Sequence, residues 1–392
     1  MKLPERLPLP PEIVEIAATL EEAGHETWCV GGAVRDGILG SAREDVDLAT
    51  AATPDQVQAL FRRTVPVGLK FGTVGVLDRH KKLHEVTTFR RDVATDGRHA
   101  VVAFGASLDD DLARRDFTIN AIAYHPRRHD WRDPFDGVAD LERRVIRAVG
   151  APHDRFREDH LRILRAIRFA CRLGFVIDPA TWAAAVEVAN GLERLSAERV
   201  RDEWFRSLET ARSLPTLFAM WRDVGAAARW LEGLAEVYPL ASPDPAPRDP
   251  VLVTAIVTSR PGAVLARLKA SGAEIERGER IGQGPVAPAS VEPATVRRWL
   301  AATGPAADDL ILRHRLMTGV DPPWEAVVAG IWARGEAVSR GDLAVTGNDL
   351  LAAGVPAGPT LGRTLSALLE WVLDHPADNR RDVLLARARE AP

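Results

Sequence analysis

The stretch TWCVGGAVRDGILGSAREDVDLAT occupies residues 27–50, and it decides the fold. Its apolar start, TWCV, predicts a short strand that runs directly into Gly31 and Gly32. The residues after the two glycines predict a helix, and DVDLAT predicts a second strand. A helix is also predicted before this stretch, over residues 11–24, because Ile13, Ile16 and Leu20 share one helical face. The order of these elements indicates a mixed α/β region with a small sheet.

The second strand carries Asp45 and Asp47, which are two residues apart. Side chains two apart on a strand point to the same face, so the two carboxylates can share one or two magnesium ions. An isolated DxD usually binds no metal, but here it follows a strand, a glycine turn and a helix. The glycines allow the backbone to approach a triphosphate closely, and Arg35 could add positive charge there.

A third carboxylate, Glu85, lies within LHEVTTFR, a stretch that predicts a strand. An acidic residue between apolar neighbours is unfavourable unless it faces water or a cation. Glu85 is therefore either a third carboxylate near the metal or a solvent-exposed strand residue.

Two further stretches are rich in arginine. In DLARRDFTINAIAYHP, residues 111–126, Arg114 and its neighbours either neutralise a triphosphate or form a surface cluster of ion pairs. In REDHLRILRAIRF, residues 157–169, apolar residues interleave with a charged stripe that has a three-residue spacing. This pattern predicts one helix that is packed on its other sides and presents the stripe to a cleft, although such stripes are usually solvated. The stripe consists of Asp159, Arg162, Arg165 and Arg168.

The first pair of this stripe, Asp159 and Arg162, suggests how a base could be recognised. Cytosine and adenine both present an amino donor beside a ring-nitrogen acceptor, which a carboxylate and a guanidinium would match. Uracil and guanine present the reverse pattern and would leave buried polar groups unpaired, at about 1–3 kcal/mol per group.

Composition places limits on the class of protein. The chain has 392 residues and a formal net charge of −4, so any nucleic-acid site must be a local patch. The chain has only two cysteines, which favours a reducing cytoplasm. It has no apolar run of about 18 residues, so no membrane association is expected. After about residue 150 the periodicity is helical, and a proline-rich stretch at 236–263 predicts a loop or hinge.

Together these motifs resemble the bacterial class II tRNA nucleotidyltransferases, which are the CCA-adding enzymes, and their relatives the bacterial poly(A) polymerases. The resemblance extends from GGAVRD to LAVTGNDLLAAGVPAGPTLGRTL and so covers nearly the whole chain. The other matching stretches are DVDLAT, GTVGV, EVTTFR, RRDFTINAIA, DPFDGVADL, REDHLRILRAIRF and SAERVRDE.

The resemblance implies an α+β nucleotidyltransferase head with a small mixed sheet, followed by an all-α neck, body and tail. The expected segments are a catalytic head at 1–150, a helical neck at 151–235, the loop or hinge at 236–263 and a tRNA-binding body and tail at 264–392. It also implies Mg²⁺-dependent addition of C and A residues, from CTP and ATP, to tRNA 3′ ends. Carried over by position, Asp45 and Asp47 would hold magnesium, and the nucleotide would contact Gly32, Arg35, Arg114, Asp159, Arg162, Arg165 and Arg168.

Several activities share these motifs: full CCA addition, CC-only addition, A-only addition and poly(A) synthesis. The segment 91–107 occupies the place of the family's flexible loop, which favours CCA or A addition over CC-only addition. A catalytically silent RNA-binding protein of the same fold is the non-enzymatic alternative, and the intact Asp45 and Asp47 argue against it. The sequence leaves the oligomeric state open.

Overall fold

The computed structural model describes residues 3–41, 45–95, 100–235, 240–241 and 248–390. The chain divides into two compact units, Met1–Trp230 and Leu231–Pro392. The boundary predicted at residue 150 therefore lies inside the first unit, which contains the predicted head and the predicted neck except for residues 231–235.

The first unit is built on a seven-stranded mixed sheet with the strand order β3-β4-β5-β2-β1-β8-β9. β2, which begins at Asp47, is an inner strand of the sheet, because it pairs antiparallel with β1 and parallel with β5. Its neighbour β1 is buried along its whole length. The strands of this sheet are β1 Thr27–Val30, β2 Asp47–Thr50, β3 Thr64–Gly68, β4 Thr73–Leu77, β5 Leu83–Thr88, β8 Ala123–Tyr124 and β9 Trp131–Arg132.

Two smaller sheets complete the strands. β6, Arg90–Thr95, and β7, Ala100–Phe104, form an antiparallel hairpin in the segment predicted to be a flexible loop, and residues 96–99 of that segment lie outside the described residues. β10, Val145–Ile146, pairs in parallel with β11, Val176–Ile177.

Eleven helices are described in the first unit. The longest are α7 and α9, which pack against each other. Trp204 of α9 is buried against Trp221 of α10, with their ring centroids 4.9 Å apart. The helices are α1 Pro11–Glu22, α2 Gly32–Ile38, α3 Pro54–Leu60, α4 Leu108–Ala113, α5 Gly137–Arg143, α6 Pro152–Glu158, α7 Leu161–Leu173, α8 Pro179–Glu187, α9 Ala197–Thr210, α10 Leu214–Asp223 and α11 Ala226–Trp230.

The arginine-rich helix begins later than predicted. α6 ends at Glu158, Asp159 has an extended backbone, and α7 starts at Leu161. Asp159 therefore lies at a break between two helices instead of on the same helix as Arg162, so the prediction of one continuous helix is wrong. The pattern failed because a three-residue spacing does not reveal a local break in the backbone.

The second unit is helical throughout the part that the structure describes. Its helices are α12 Pro250–Val257, α13 Pro261–Arg267, α14 Gly272–Gln283, α15 Pro293–Thr303, α16 Ala307–Thr318, α17 Glu325–Ala333, α18 Gly347–Ala352, α19 Pro359–Asp374 and α20 Arg381–Glu390. The expected α+β region with a small mixed sheet, followed by helices, is confirmed.

The loop predicted at 236–263 contains structure that the prolines did not suggest. Pro250 and Pro261 are the first residues of α12 and α13, where a proline is tolerated because that N–H has no helical partner. Asp249 caps α12 by accepting a hydrogen bond from the Leu252 N–H at 2.9 Å. Residues 236–239 and 242–247 of the predicted loop lie outside the described residues. In the described part of the chain, no helix is long and apolar enough to cross a membrane.

Gly137, the first residue of α5, offers a test of the packing beneath the site. A Cβ there would lie 2.2 Å from the backbone oxygen of Thr118. We expect Gly137→Ala to lower the free energy of unfolding by about 1–3 kcal/mol, as overpacking does, in urea titrations followed by circular dichroism. Gly272 is the matched control, because it also begins a helix and has no heavy atom within 4 Å of its Cβ position. Gly272→Ala should leave stability unchanged or slightly higher, and equal effects of the two variants would contradict the packing.

Candidate active site

A cavity of about 520 Å³ opens beside the end of β1 in the first unit. Its walls come from the start of α2, the start of β2, the segment after α4, the start and middle of α7, and α9. Eight arginines and four aspartates line it, so the charge of the wall is positive and suits an anion. Its charged lining residues are Arg35, Asp45, Asp47, Arg114, Arg115, Asp116, Asp159, Arg162, Arg165, Arg168, Arg172 and Arg199.

All nine residues predicted to bind metal or nucleotide lie on this cavity wall. They come from parts of the sequence more than 130 residues apart, and only the fold brings them together. Glu85 is absent from the lining. It is solvent-exposed on β5, the strand that pairs with β2, and its charge acts on Asp47.

The Asp45 and Asp47 carboxylates form the acidic edge of the cavity. Burial, together with the negative charges of Glu85 and Asp45, raises the pKa of Asp47 to about 6 against the attraction of Arg115. A carboxylate held in this way is poorly compensated by the protein alone. A cation at this edge would relieve the repulsion.

The donor set fits magnesium in a specific way. Among the residues that the structure describes, no group of three His, Cys, Asp or Glu side chains is close enough to hold a metal ion. Magnesium, however, is usually bound by one or two carboxylates together with substrate phosphates and water. The pair Asp45 and Asp47 beside an anion-binding wall satisfies that requirement.

Gly31 lies between the Asp47 carboxylate and the Arg115 guanidinium. Its φ of +78° is one that side-chain-bearing residues rarely adopt. A Cβ at Gly31 would also lie 3.1 Å from Nη1 of Arg115 and 3.7 Å from Oδ2 of Asp47. The glycine turn therefore leaves room for the Arg115 guanidinium beside the acidic edge.

Three guanidinium groups surround the ring of Phe169 on α7. The Cζ atoms of Arg35, Arg165 and Arg168 lie 4.9, 5.3 and 4.3 Å from its centroid. Aromatic rings attract cations through their negative faces, so Phe169 helps to hold the three arginines together. The side chain itself is only 5% exposed.

Each of these arginines also has a carboxylate partner. Arg165 binds Asp116 at 2.7 Å, and Arg168 binds Glu203 at 2.6 Å. Burial alone would raise the pKa of Asp116, but the attraction of Arg165 and a hydrogen bond from Asn120 bring it to about 2. Asp116 therefore stays ionised, and the two ion pairs orient the guanidinium groups of Arg165 and Arg168.

Arg35 is more deeply buried than its predicted role suggests. It is 1% exposed, and it donates to Asp36 at 2.8 Å and to the side-chain oxygen of Asn120 at 2.6 Å. Asp36 in turn accepts from Arg172 at 2.7 Å. Arg35 thus joins α2 to the floor of the cavity, and direct contact with a nucleotide stays a prediction.

Arg114 and Arg115 share one buried partner, Asp111 on α4. Arg114 donates to one carboxylate oxygen at 2.8 and 2.9 Å, and Arg115 donates to the other at 3.1 Å. A single carboxylate therefore holds two guanidiniums at the cavity wall, and one positive charge remains uncompensated within this group.

Asp159 and Arg162 are held by separate partners. Asp159 accepts from Arg199 of α9 at 2.7 Å and from the Leu161 N–H at 3.1 Å. Arg162 donates to Glu158 at 2.7 Å and to the backbone oxygen of Arg114 at 2.9 Å. The helix break at Asp159 turns its carboxylate toward α9, which a continuous helix would not do.

Sequence reasoning missed Arg172 and Arg199, and it considered Arg115 and Asp116 only as neighbours of Arg114; all four complete the wall. Arg115 and Asp116 adjoin Arg114 in the RRD motif, so their proximity was visible in the sequence. Arg172 follows Arg168 by four residues on α7, which also places it on the same side of the helix. The sequence pattern could therefore have included it. Arg199 lies in SAERVRDE on another helix, and no local signal connects it with Asp159.

Known families and proteins match nearly the whole chain. Three family models match: "Poly A polymerase head domain" at residues 27–147, "Probable RNA and SrmB- binding site of polymerase A" at 174–236 and "tRNA nucleotidyltransferase domain 2 putative" at 325–388. The CCA-adding enzyme of Limosilactobacillus fermentum is 35% identical and aligns with 96% of this chain and 95% of its own length. That of Lactiplantibacillus plantarum is 34% identical, with 95% and 94% covered.

A solved structure is similar over the same extent. The Bacillus stearothermophilus CCA-adding enzyme, crystallised in complex with CTP, superimposes with a TM-score of 0.80 at 33% sequence identity. The match covers 97% of this chain and 98% of the crystallised one.

The raised pKa of Asp47 predicts how pH affects stability. Because the folded-state pKa lies above the ordinary value of 3.8, ionised Asp47 destabilises the fold. This penalty is absent below about pH 4, develops between pH 4 and 6, and is complete above pH 6. We therefore expect Asp47→Asn to melt at a higher temperature than the wild-type protein at pH 8 without metal, and at the same temperature at pH 4.

Magnesium should stabilise the wild-type protein more than the Asp47→Asn variant. Adding MgCl₂ at pH 8 should raise the melting temperature of the wild-type protein, because a cation at Asp45 and Asp47 removes the repulsion. The Asp47→Asn variant should respond less. An equal response of both proteins would show that the ion binds elsewhere.

Proposed function

This chain belongs to the family of the CCA-adding enzymes, and on that basis we propose that its arginine-lined cavity binds CTP and ATP and transfers their nucleotides to the 3′ end of tRNA. The observation that carries the proposal is the position of the acidic edge, Asp45 and Asp47, on the same cavity as eight arginines and the Asp159–Arg162 pair. A nucleoside triphosphate requires all three: cations for its phosphates, carboxylates for its metal and a polar pair for its base.

The reaction is an in-line displacement at phosphorus. The 3′ hydroxyl oxygen of the RNA forms a bond to the α-phosphorus, the bond from that phosphorus to the bridging oxygen breaks, and pyrophosphate leaves with the electron pair. The hydroxyl proton is released. The arginines of the wall hold the phosphates in place for this attack, and no covalent enzyme intermediate is needed.

Magnesium is the proposed cofactor, and Asp45 and Asp47 are the residues that would hold it. When bound, it supplies positive charge to the attacking and leaving oxygens. The protein's own contribution is to keep both carboxylates at the cavity edge, with Arg115 beside them across Gly31. Glu85 stays a prediction as an additional ligand, because the structure places it on the neighbouring strand and outside the cavity lining.

Base selection is proposed for Asp159 and Arg162. Asp159 is 25% exposed and Arg162 is 13% exposed, so the pair is partly desolvated and an unmatched base edge would be costly there. Arg199 and Glu158 hold the two side chains in place through one short ion pair each, at 2.7 Å. A matched amino donor and ring-nitrogen acceptor, as in cytosine and adenine, would complete their hydrogen bonding.

The sister activities are less well supported. The relatives that align with nearly the whole chain carry the name CCA-adding enzyme, which favours full CCA addition over CC-only, A-only or poly(A) addition. A silent RNA-binding protein would have no use for two carboxylates facing a polyanion. We further propose that the helices of the second unit contact the tRNA and that the protein acts in the cytoplasm.

The direct test offers the purified protein a tRNA that lacks its 3′ CCA, with magnesium and labelled nucleotides given singly and in combination. We expect three added residues with CTP plus ATP and none with UTP or GTP, measured on a sequencing gel. A stop after two residues, a single A on a CC-ended tRNA, or a long ladder with ATP alone would each assign a sister activity. No addition at all would remove the enzymatic function.

Asp45→Ala is the matching inactive variant. It should abolish addition of both nucleotides while tRNA affinity, measured by filter binding, stays within about twofold, because Asp45 faces the nucleotide's metal and makes no predicted RNA contact. Full activity in this variant would remove the metal assignment.

Asp159→Ala should weaken base selection rather than chemistry. We expect the ratio of kcat/KM for CTP to kcat/KM for UTP to fall by about 10- to 100-fold. Without the Asp159 carboxylate, the hydrogen-bonding edge of uracil no longer leaves a partly buried charged group unpaired. Asp202→Ala is the control, since Asp202 is an exposed aspartate on α9 outside the cavity lining. An unchanged ratio in Asp159→Ala would assign selection to other residues.

A further inference from the structure

A second cavity in the first unit has no role in the reaction as described above. Its volume is about 380 Å³, within the range of small-ligand sites. It lies behind Arg172, which lines both cavities. Its lining residues are Asp36, Leu39, Ser41, Leu141, Arg144, Arg172, Leu173, Phe175 and Arg212.

The charge of this second cavity is strongly positive. Three arginines face one carboxylate, Asp36, and that carboxylate is already bound by Arg35 and Arg172 at 2.8 and 2.7 Å. Within the described ranges, no carboxylate lies within ion-pair distance of Arg144 or Arg212. Two guanidiniums therefore converge on the cavity with their donors available to an external anion.

The backbone positions the two residues that carry these guanidiniums. Arg144 caps the C-terminal end of α5 with a φ of +57°, a conformation that costs a non-glycine residue roughly 1 kcal/mol or more. Its carbonyl oxygen accepts from the Val176 N–H at 3.0 Å, beside the β10–β11 pair. Arg212 lies across Gly174, where a Cβ would be 3.2 Å from its Nη1. Gly174 has a φ of +70°, so both the space and the backbone favour glycine there.

The other lining is apolar. Leu39, Leu141, Leu173 and Phe175 form it, and Leu39 is 37% exposed. A cavity with guanidiniums and an apolar surface fits a phosphate attached to a sugar or base better than a free inorganic ion. The phosphates of the incoming nucleotide already have the arginines of the first cavity. The anion for the second cavity therefore comes from another molecule.

We propose that Arg144 and Arg212 bind a backbone phosphate of the RNA substrate in this second cavity. The proposal rests on the proposed function, because that function supplies an RNA whose 3′ end must reach the adjacent first cavity. Arg144 and Arg212 line only the second cavity, so their role is to position the RNA and not to contact the reacting atoms.

The test compares the double variant Arg144→Ala/Arg212→Ala with Arg62→Ala/Arg63→Ala. The control loses the same charge from two exposed arginines outside both cavities. We expect the first double variant to bind tRNA about tenfold more weakly, because hydrogen bonds between charged groups are lost. Its KM for CTP, and its kcat at saturating tRNA, should equal those of the wild-type protein. Matched melting temperatures would show that both variants fold.

Salt dependence gives a second readout. Each phosphate contact contributes roughly 0.9 to the slope of log affinity against log salt on a duplex, so the first double variant should show a slope smaller by about that amount. Arg144→Lys/Arg212→Lys keeps both charges and should restore the slope. The control variant Arg62→Ala/Arg63→Ala should leave the tRNA affinity and the salt slope unchanged. An equal loss of affinity in the control would show that the effect comes from net charge and not from the second cavity.

The remaining outcomes separate the sources of the anion. Weaker inhibition by added pyrophosphate with unchanged tRNA affinity would assign the second cavity to a free phosphate and overturn the RNA proposal. Unchanged values for both ligands would remove the site. If the wild-type protein binds no tRNA, the proposed function is contradicted as well. If the wild-type protein binds tRNA and the double variant binds it equally well, only the role of the second cavity is contradicted.

Discussion

Ion pairing between arginine and carboxylate is the interaction on which the first unit depends. Arginine keeps its charge at any accessible pH, so a guanidinium can be buried only beside an anion or an aromatic face. α7 supplies four arginines to one side of the cavity, at positions 162, 165, 168 and 172, and their acidic partners come from four other places in the chain. The same pairs that allow burial therefore also connect α2, α6, α9 and the segment after α4 to one helix.

This arrangement leaves the cavity preorganised but not neutral. The carboxylates hold these guanidinium groups on the cavity wall, where their charge would attract a triphosphate. Desolvation by burial lowers the pKa of Arg168, and Glu203 opposes that shift. An anion entering the cavity would add to the effect of Glu203. Binding thus strengthens interactions that the fold already needs for its own stability.

The sequence predicted what is local and periodic. The strand, glycine turn and DxD of residues 27–50 contain their own signals, because φ > 0 requires glycine at position 31 and a period of two places Asp45 with Asp47. The path of the backbone at Asp159 had no such signal, since a break between two helices keeps the same residue spacing as one helix. Nor could residue spacing show that Arg35 is buried and donates hydrogen bonds to Asp36 and Asn120, because the sequence does not distinguish a buried arginine from an exposed one. The resemblance to a family supplied residue roles that periodicity alone could not, while the pairing of Arg199 with Asp159 needed the three-dimensional structure.

The break at Asp159 explains why a single helix would make a poor base-recognition site. On a continuous helix, Asp159 and Arg162 would be one turn apart and could neutralise each other directly, which would use up the acceptor and donor that a base edge requires. In the structure each has a different ionic partner, Arg199 for Asp159 and Glu158 for Arg162. The extended backbone at Asp159 separates the two pairs while keeping both side chains on one wall. The base selection that we propose for this pair would rest on two independently held groups, and a change in either partner would shift the orientation of one group without removing the other.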